Sequence, residues 1–198
     1  LNALLSGAST PASLVFDIPN QFPGAQAGLI YTFGNPGQAF SGAMNLRQAV
    51  GAWRVPPAAE IAWRQGMAGI IGTAHSLGIN SLEEARADVL LLQRGGAVSL
   101  LDIAYAYSVF ATLGDMRGAP TMPVARGFRG RDPVAVTRIE SAEGVLLWEY
   151  DRERARSCAS LDVCTPILEP GAAYLVNDML ADQDTRWALY GQGSAFDT

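Results

Sequence analysis

Apolar residues fall at helical spacing in two stretches of the chain and gather into strand-like runs in a third, which predicts an α+β protein. After Ser99, with Asp102 at the third helical position, Leu100, Ile103, Ala104, Tyr107 and Ala111 share one face of a helix that stops at Gly114. From Pro170, the residues Ala172, Leu175, Val176, Met179 and Leu180 draw a second apolar stripe, predicting a helix over 170–182. Residues 134–139 and 145–150 read as strands. Between them Ser141-Ala142-Glu143-Gly144 supplies a turn with glycine where positive φ is needed, so 134–150 predicts a hairpin.

The remaining elements carry weaker signals. Asn45 followed by Gln48 forms a capping box, with the helix running to Pro56-Pro57, which break it. A second helix is expected over about 58–69 and a third from about 70 to near Gly78, and Ser81 with Glu84 opens a short one across Glu83-Glu84-Ala85. Residues 1–5 look helical. Thr10-Pro11-Ala12-Ser13-Leu14 and Asp17-Ile18-Pro19 read as turns and extended segments, and 22–42 as a long surface loop tethered by Tyr31, Phe33 and Phe40. Residues 115–133 are expected as loop and 186–198 as extended chain. The layout is thus a loop-rich lead-in (1–43), a helical part (44–114), the hairpin (134–150) and the helix at 170–182.

Composition narrows the class. With 198 residues, 49% hydrophobic and 17% charged, the chain can bury a sizeable core. A net charge of −5 and a pI near 4.8 argue against a nucleic-acid surface, so Arg126-Gly127-Phe128-Arg129-Gly130-Arg131 is expected to be a solvated loop. No run reaches the roughly 18–20 apolar residues of a membrane span, and any anchor is expected upstream of Leu1. Cys158 and Cys164, six apart, read either as a disulfide worth roughly 2 kcal/mol or as two free thiols. One histidine leaves them a poor zinc site, which wants four ligands.

All 14 basic residues are arginine. Without lysine there is no phosphate-binding Gly-x-x-x-x-Gly-Lys loop, and there is no Gly-x-Ser-x-Gly nucleophile elbow. Gly66, Gly69 and Gly72 fit helix packing or a helix junction. His75 reads as a helix-end structural residue or a general base, and Glu83-Glu84 as partners of a helix dipole. No cofactor and no metal is expected.

Several segments, in order, resemble the transpeptidase domain of class A (bifunctional) penicillin-binding proteins. They are Thr10-Pro11-Ala12-Ser13-Leu14 through Phe22-Pro23-Gly24, Ser41-Gly42-Ala43 with Leu46-Arg47-Gln48-Ala49-Val50, and His75-Ser76-Leu77-Gly78-Ile79. The most specific is Val98-Ser99-Leu100-Leu101-Asp102-Ile103-Ala104-Tyr105-Ala106-Tyr107 with Phe110-Ala111. Gly144-Val145-Leu146-Leu147-Trp148-Glu149-Tyr150, the 172–180 helix and Tyr190-Gly191 to Ser194-Ala195 complete the series. The resemblance implies the mostly helical subdomain of the serine β-lactamase/D,D-transpeptidase-like fold, most of its central antiparallel sheet lying outside the chain.

It also implies acyl-serine crosslinking of peptidoglycan stem peptides, with β-lactams as ligands of the full-length protein, at the extracytoplasmic face of the plasma membrane. The family's Ser-x-x-Lys and Lys-Thr-Gly motifs cannot occur in a lysine-free chain, so no catalytic residue is expected here. Its Ser-x-Asn motif registers on Ala52-Trp53-Arg54-Val55, which offers neither hydroxyl nor amide and is expected to edge the substrate cleft. A catalytically inactive pseudo-transpeptidase that binds or scaffolds is the alternative. With sheet strands outside the chain, the segment is expected to be marginally stable or to associate.

Overall fold

The computed structural model describes residues 1–24, 27–37, 39–82, 88–121, 128–158 and 163–195. Helix α1 (Asn2–Leu5) leads to strands β1 (Leu14–Asp17), β2 (Asn20–Pro23), β3 (Ile30–Phe33) and β4 (Gly42–Asn45). β1 pairs with β4 and β2 with β3, both antiparallel. The stretch expected as turns and surface loop is therefore two ladders. Their alternation is short but real: Val15 and Asp17 face inward from β1, while Phe22 and Phe33 are buried and meet edge-on, centroids 5.4 Å apart.

The helical part follows as α2 (Leu46–Gly51), α3 (Val55–Gln65), α4 (Met67–Ser76), α5 (Leu91–Arg94) and α6 (Leu100–Ala111). Asn45 and Gln48 form the expected capping box on α2. Pro56 and Pro57 do not end that helix. They lie in the first turn of α3, where a missing N–H costs nothing, and both are buried. The helices expected over 58–69 and from 70 are accordingly displaced, with Gly66 between α3 and α4. Glu83, Glu84 and Ala85, on which the expected Ser81–Glu84 box and short helix depend, lie outside the described residues.

Helix α6 is capped by Ser99, whose Oγ accepts from Asp102 N–H at 3.1 Å, but its buried face is not the expected one. Asp102, Tyr105, Ala106 and Val109 face inward, whereas Leu100 is 85% exposed and Tyr107 is exposed. The helix is apolar nearly all round, so periodicity alone could not choose. The choice is made by Arg129, which draws Asp102 inward, and by the packing of Val109 with Met116 and Ala173.

Beyond α6, β5 (Asp115–Arg117), β6 (Ala119–Pro120) and β7 (Arg131–Asp132) replace part of the expected 115–133 loop. The hairpin forms as β8 (Arg138–Glu140) and β9 (Leu146–Glu149), followed by α7 (Arg152–Ser157) and β10 (Cys164–Pro166), which pairs with β5. Helix α8 (Pro170–Ala181) matches expectation, with Ala173 and Met179 buried. The chain expected as extended from 186 instead continues α9 (Gln183–Tyr190), capped by Asp182 Oδ1 accepting from Thr185 N–H at 3.2 Å. No sheet among the described residues is wider than two strands, and the apolar interior divides into three clusters centred on Val109, Phe33 and Leu46.

Candidate functional site

Ala52-Trp53-Arg54-Val55 makes the corner between α2 and α3. Ala52 is the C-cap of α2 and is buried. Trp53 N–H donates to Val50 O at 3.1 Å and Arg54 N–H to Ala49 O at 2.9 Å. This pair of bonds is the Schellman cap, whose C′ residue sits in the left-handed region and is usually glycine. Here it is Trp53, at φ 47°. The same cap closes α4 with Gly78 at C′, where Ile79 N–H reaches Ala74 O and Gly78 N–H reaches His75 O. The indole of Trp53 is 62% exposed, so the strained backbone presents the largest side chain of the corner to its surroundings.

Arg54 points the other way. Its Nε lies 3.7 Å from Asp17 Oδ2, and its Nη1 donates to Ala39 O at 3.4 Å. Asp17 is fully buried at the end of β1 and accepts from Asn35 Nδ2 at 2.6 Å and Ser41 N–H at 2.9 Å. Asn35 also donates to Ala39 O at 2.9 Å, and its Oδ1 accepts from Val55 N–H, the first amide of α3, at 3.0 Å. One buried amide thus satisfies a carboxylate, a loop carbonyl and a helix-terminal N–H that would otherwise be orphaned. Arg54 was expected, with its neighbours, to edge the substrate cleft, and a guanidinium there could bind a carboxylate. The carboxylate it faces is the chain's own. Asp17 and Asn35 were missed as site residues, although Asp17 before Ile18-Pro19 and the Asn35-Pro36 turn signal were readable.

The corner borders an open apolar cavity of about 470 Å³ between α1, α2, α3 and α4, lined by Leu46, Trp53, Ile61, Ile70 and Leu77 and by Met179 of α8, with Arg54 at its border. Polar atoms enter only sparsely, from residues such as Asn2, Gln65 and Thr73. Helix α9 braces the corner from behind: a Cβ on Gly51 would overlap the Thr185 side chain, and Arg47 ion-pairs with Asp178 and, at 3.1 Å, with Asp182.

The other candidates are structural. His75 is buried, its Nε2 2.8 Å from Leu82 O and its ring stacked on Phe128 at 4.6 Å. Of the basic run, Arg126 and Gly127 lie outside the described residues, while Arg129 and Arg131 are not solvated. Arg129 donates to Asp102 Oδ1 and Asp132 Oδ1, both at 2.7 Å, and lies over the Tyr105 ring. Arg131 is buried, donating to Thr165 Oγ1 and Gly118 O. Burial works against ionisation of Asp102, yet hydrogen bonds from Ser81 and Arg129 hold its pKa down to about 2; burial pushes Tyr105 up to about 12. Cys158 and Cys164 are disulfide-bonded, Cα atoms 5.6 Å apart, so their sulfurs have no thiolate to offer the nearby Asp115 in a metal site.

No protein-family model and no curated protein matches the sequence. Solved structures do match. Penicillin-binding protein 1A from Haemophilus influenzae superposes with a TM-score of 0.70 at 18% identity, over 98% of this chain and 29% of that one. PBPA from Mycobacterium tuberculosis gives 0.66 at 15%, over 97% and 43%. PonA1, a penicillin-binding protein from the same organism, gives 0.63 at 16%, over 91% and 42%. The chain therefore spans well under half the length of these structures, and it has the fold of part of a penicillin-binding protein.

Proposed function

We propose that the chain is the helix-rich part of a peptidoglycan D,D-transpeptidase domain acting in cell-wall synthesis. The observation that supports this most is the fold match over nearly the whole chain to several penicillin-binding proteins. A D,D-transpeptidase of the Eggerthella lenta peptidoglycan glycosyltransferase is similar as well, with a TM-score of 0.62 at 14% identity. In the whole protein a serine would attack the stem peptide, expel D-Ala as the acyl-enzyme forms, and pass the acyl group to a neighbouring amine. Neither serine nor lysine for that step is assigned within these residues. Ala52, Trp53, Arg54 and Val55 would edge the cleft, with Trp53 the side chain able to touch a stem peptide. β-Lactams would acylate the same serine; PonA1 has been solved with penicillin V. The site would lie at the extracytoplasmic face of the membrane, anchored elsewhere in the protein; no helix among the described residues is long and apolar enough to cross a membrane.

A second reading, a pseudo-transpeptidase that binds cell-wall peptide without turnover, is favoured by one feature. The corner has no hydroxyl or amide side chain, and its cation is engaged inward with Asp17. A fluorescent penicillin separates the two. Stable labelling of the folded full-length protein supports the enzyme, and a folded protein that takes no label supports the binding module.

A further inference from the structure

The β8–β9 hairpin is exposed on every residue of both strands, and β9 is the sole ladder partner of β8 among the described residues. Tyr150 N–H donates to Thr137 O and Ser141 N–H to Val145 O, both at 2.9 Å, so Thr137 and Ser141 turn their backbone towards β9. By the two-residue period of a strand, Arg138 and Glu140 turn theirs outward. The register irregularity spares this edge, because the residue skipped in the pairing, Leu147, belongs to β9. The result is an open edge with Arg138 and Glu140 flanking Ile139, itself 46% exposed.

This edge is complementary to itself. If two copies pair antiparallel about a twofold axis at Ile139, Arg138 of each copy falls opposite Glu140 of the other. Both are the outward-facing, hydrogen-bonding positions of the edge. Opposite charges directly across strands stabilise, and the neighbouring register centred on Arg138 would place like charges opposite and is disfavoured. The pairing also sets Ile139 beside its symmetry mate, flanked by Trp148 of each hairpin, since Ile139 and Trp148 are register partners. We propose that the outer edge of β8 is a self-association surface, its partner a second copy of this chain, giving a four-stranded β9-β8-β8-β9 sheet across the dimer axis. An open, uncovered edge is a template for such pairing. The contact is small, so the dimer is weak, and the proposal is independent of the activity proposed above.

Charge exchange tests it, with sedimentation velocity of the full chain read across a wide concentration range and circular dichroism as the folding control. Glu140→Arg alone, and Arg138→Glu alone, should each raise the dissociation constant about tenfold or more. The double exchange R138E/E140R keeps every pair across the dimer axis opposite in charge, though it gives up the Arg138–Glu149 ion pair within the hairpin, and should still dimerise. An equimolar mixture of the two single variants should recover dimer, because an Arg/Arg edge then faces a Glu/Glu edge. A parent chain that stays monomeric, self-association undiminished by Glu140→Arg, or a mixture no more associated than its components each overturns the proposal; a monomeric parent would mean that another segment or partner covers the edge.

Discussion

Trp53 holds a left-handed backbone that costs an L-residue roughly 1–2 kcal/mol, and it does so with most of its indole outside the core. Such outliers persist where surrounding structure dictates them, here the α2 cap on one side and the Asn35–Val55 bond on the other. Trp53→Gly is therefore expected to stabilise the chain by about 1 kcal/mol in urea unfolding while removing the aromatic surface. A net loss of stability would mean that the ring packs more than its exposure implies. Asp17 carries the opposite expectation. Asp17→Ala strands the Arg54 guanidinium without its counter-charge and should cost roughly 3–5 kcal/mol. Adding Arg54→Met to that variant should restore part of the loss, a non-additivity that a double-mutant cycle measures directly.

Between elements, two ionic junctions matter most. Asp102 joins α6 to the segment around Arg129 and to Ser81. Its folded pKa of about 2 lies below the ordinary 3.8, so the proton binds the unfolded chain more readily. The associated stability, about 2 kcal/mol, is fully present above the unfolded value and is lost as pH falls from about 4 through about 2. Asp102→Asn should flatten that acid limb in a series of urea midpoints taken against pH; an unchanged limb would assign the acid sensitivity to other carboxylates. At the second junction α9 rests on Gly51. Gly51→Ala should cost roughly 1–3 kcal/mol through overlap with Thr185, seen as a lowered melting temperature.

Across the whole molecule, three modest apolar clusters stand in place of one core, and large side chains such as Leu14, Ile30, Leu100 and Leu147 remain exposed. Interior divided in this way limits cooperativity, and thermal unfolding of the isolated chain should be broad and shift with protein concentration. A sharp, concentration-independent transition would contradict that. The disulfide contributes independently of packing: reduction should lower stability by about 2 kcal/mol, because it reopens the short loop between Cys158 and Cys164 in the unfolded chain.

The local code of the chain settled what nearest neighbours decide. Asn45 with Gln48, Ser99 with Asp102, Pro170 at a helix start and Gly144 in a hairpin turn each act within a few residues, and all four are where they were read. That no lysine-bearing motif lies within these 198 residues was likewise read from composition alone. Tertiary structure decided what depends on distant partners. Which side of α6 is buried, whether Pro56-Pro57 end one helix or begin another, and whether Arg54 faces a ligand or Asp17 all turn on contacts that span many positions of sequence. The physical reason is range. Caps and turns close hydrogen bonds over three to five residues, whereas the burial of an apolar face or a charge is fixed only by what folds against it.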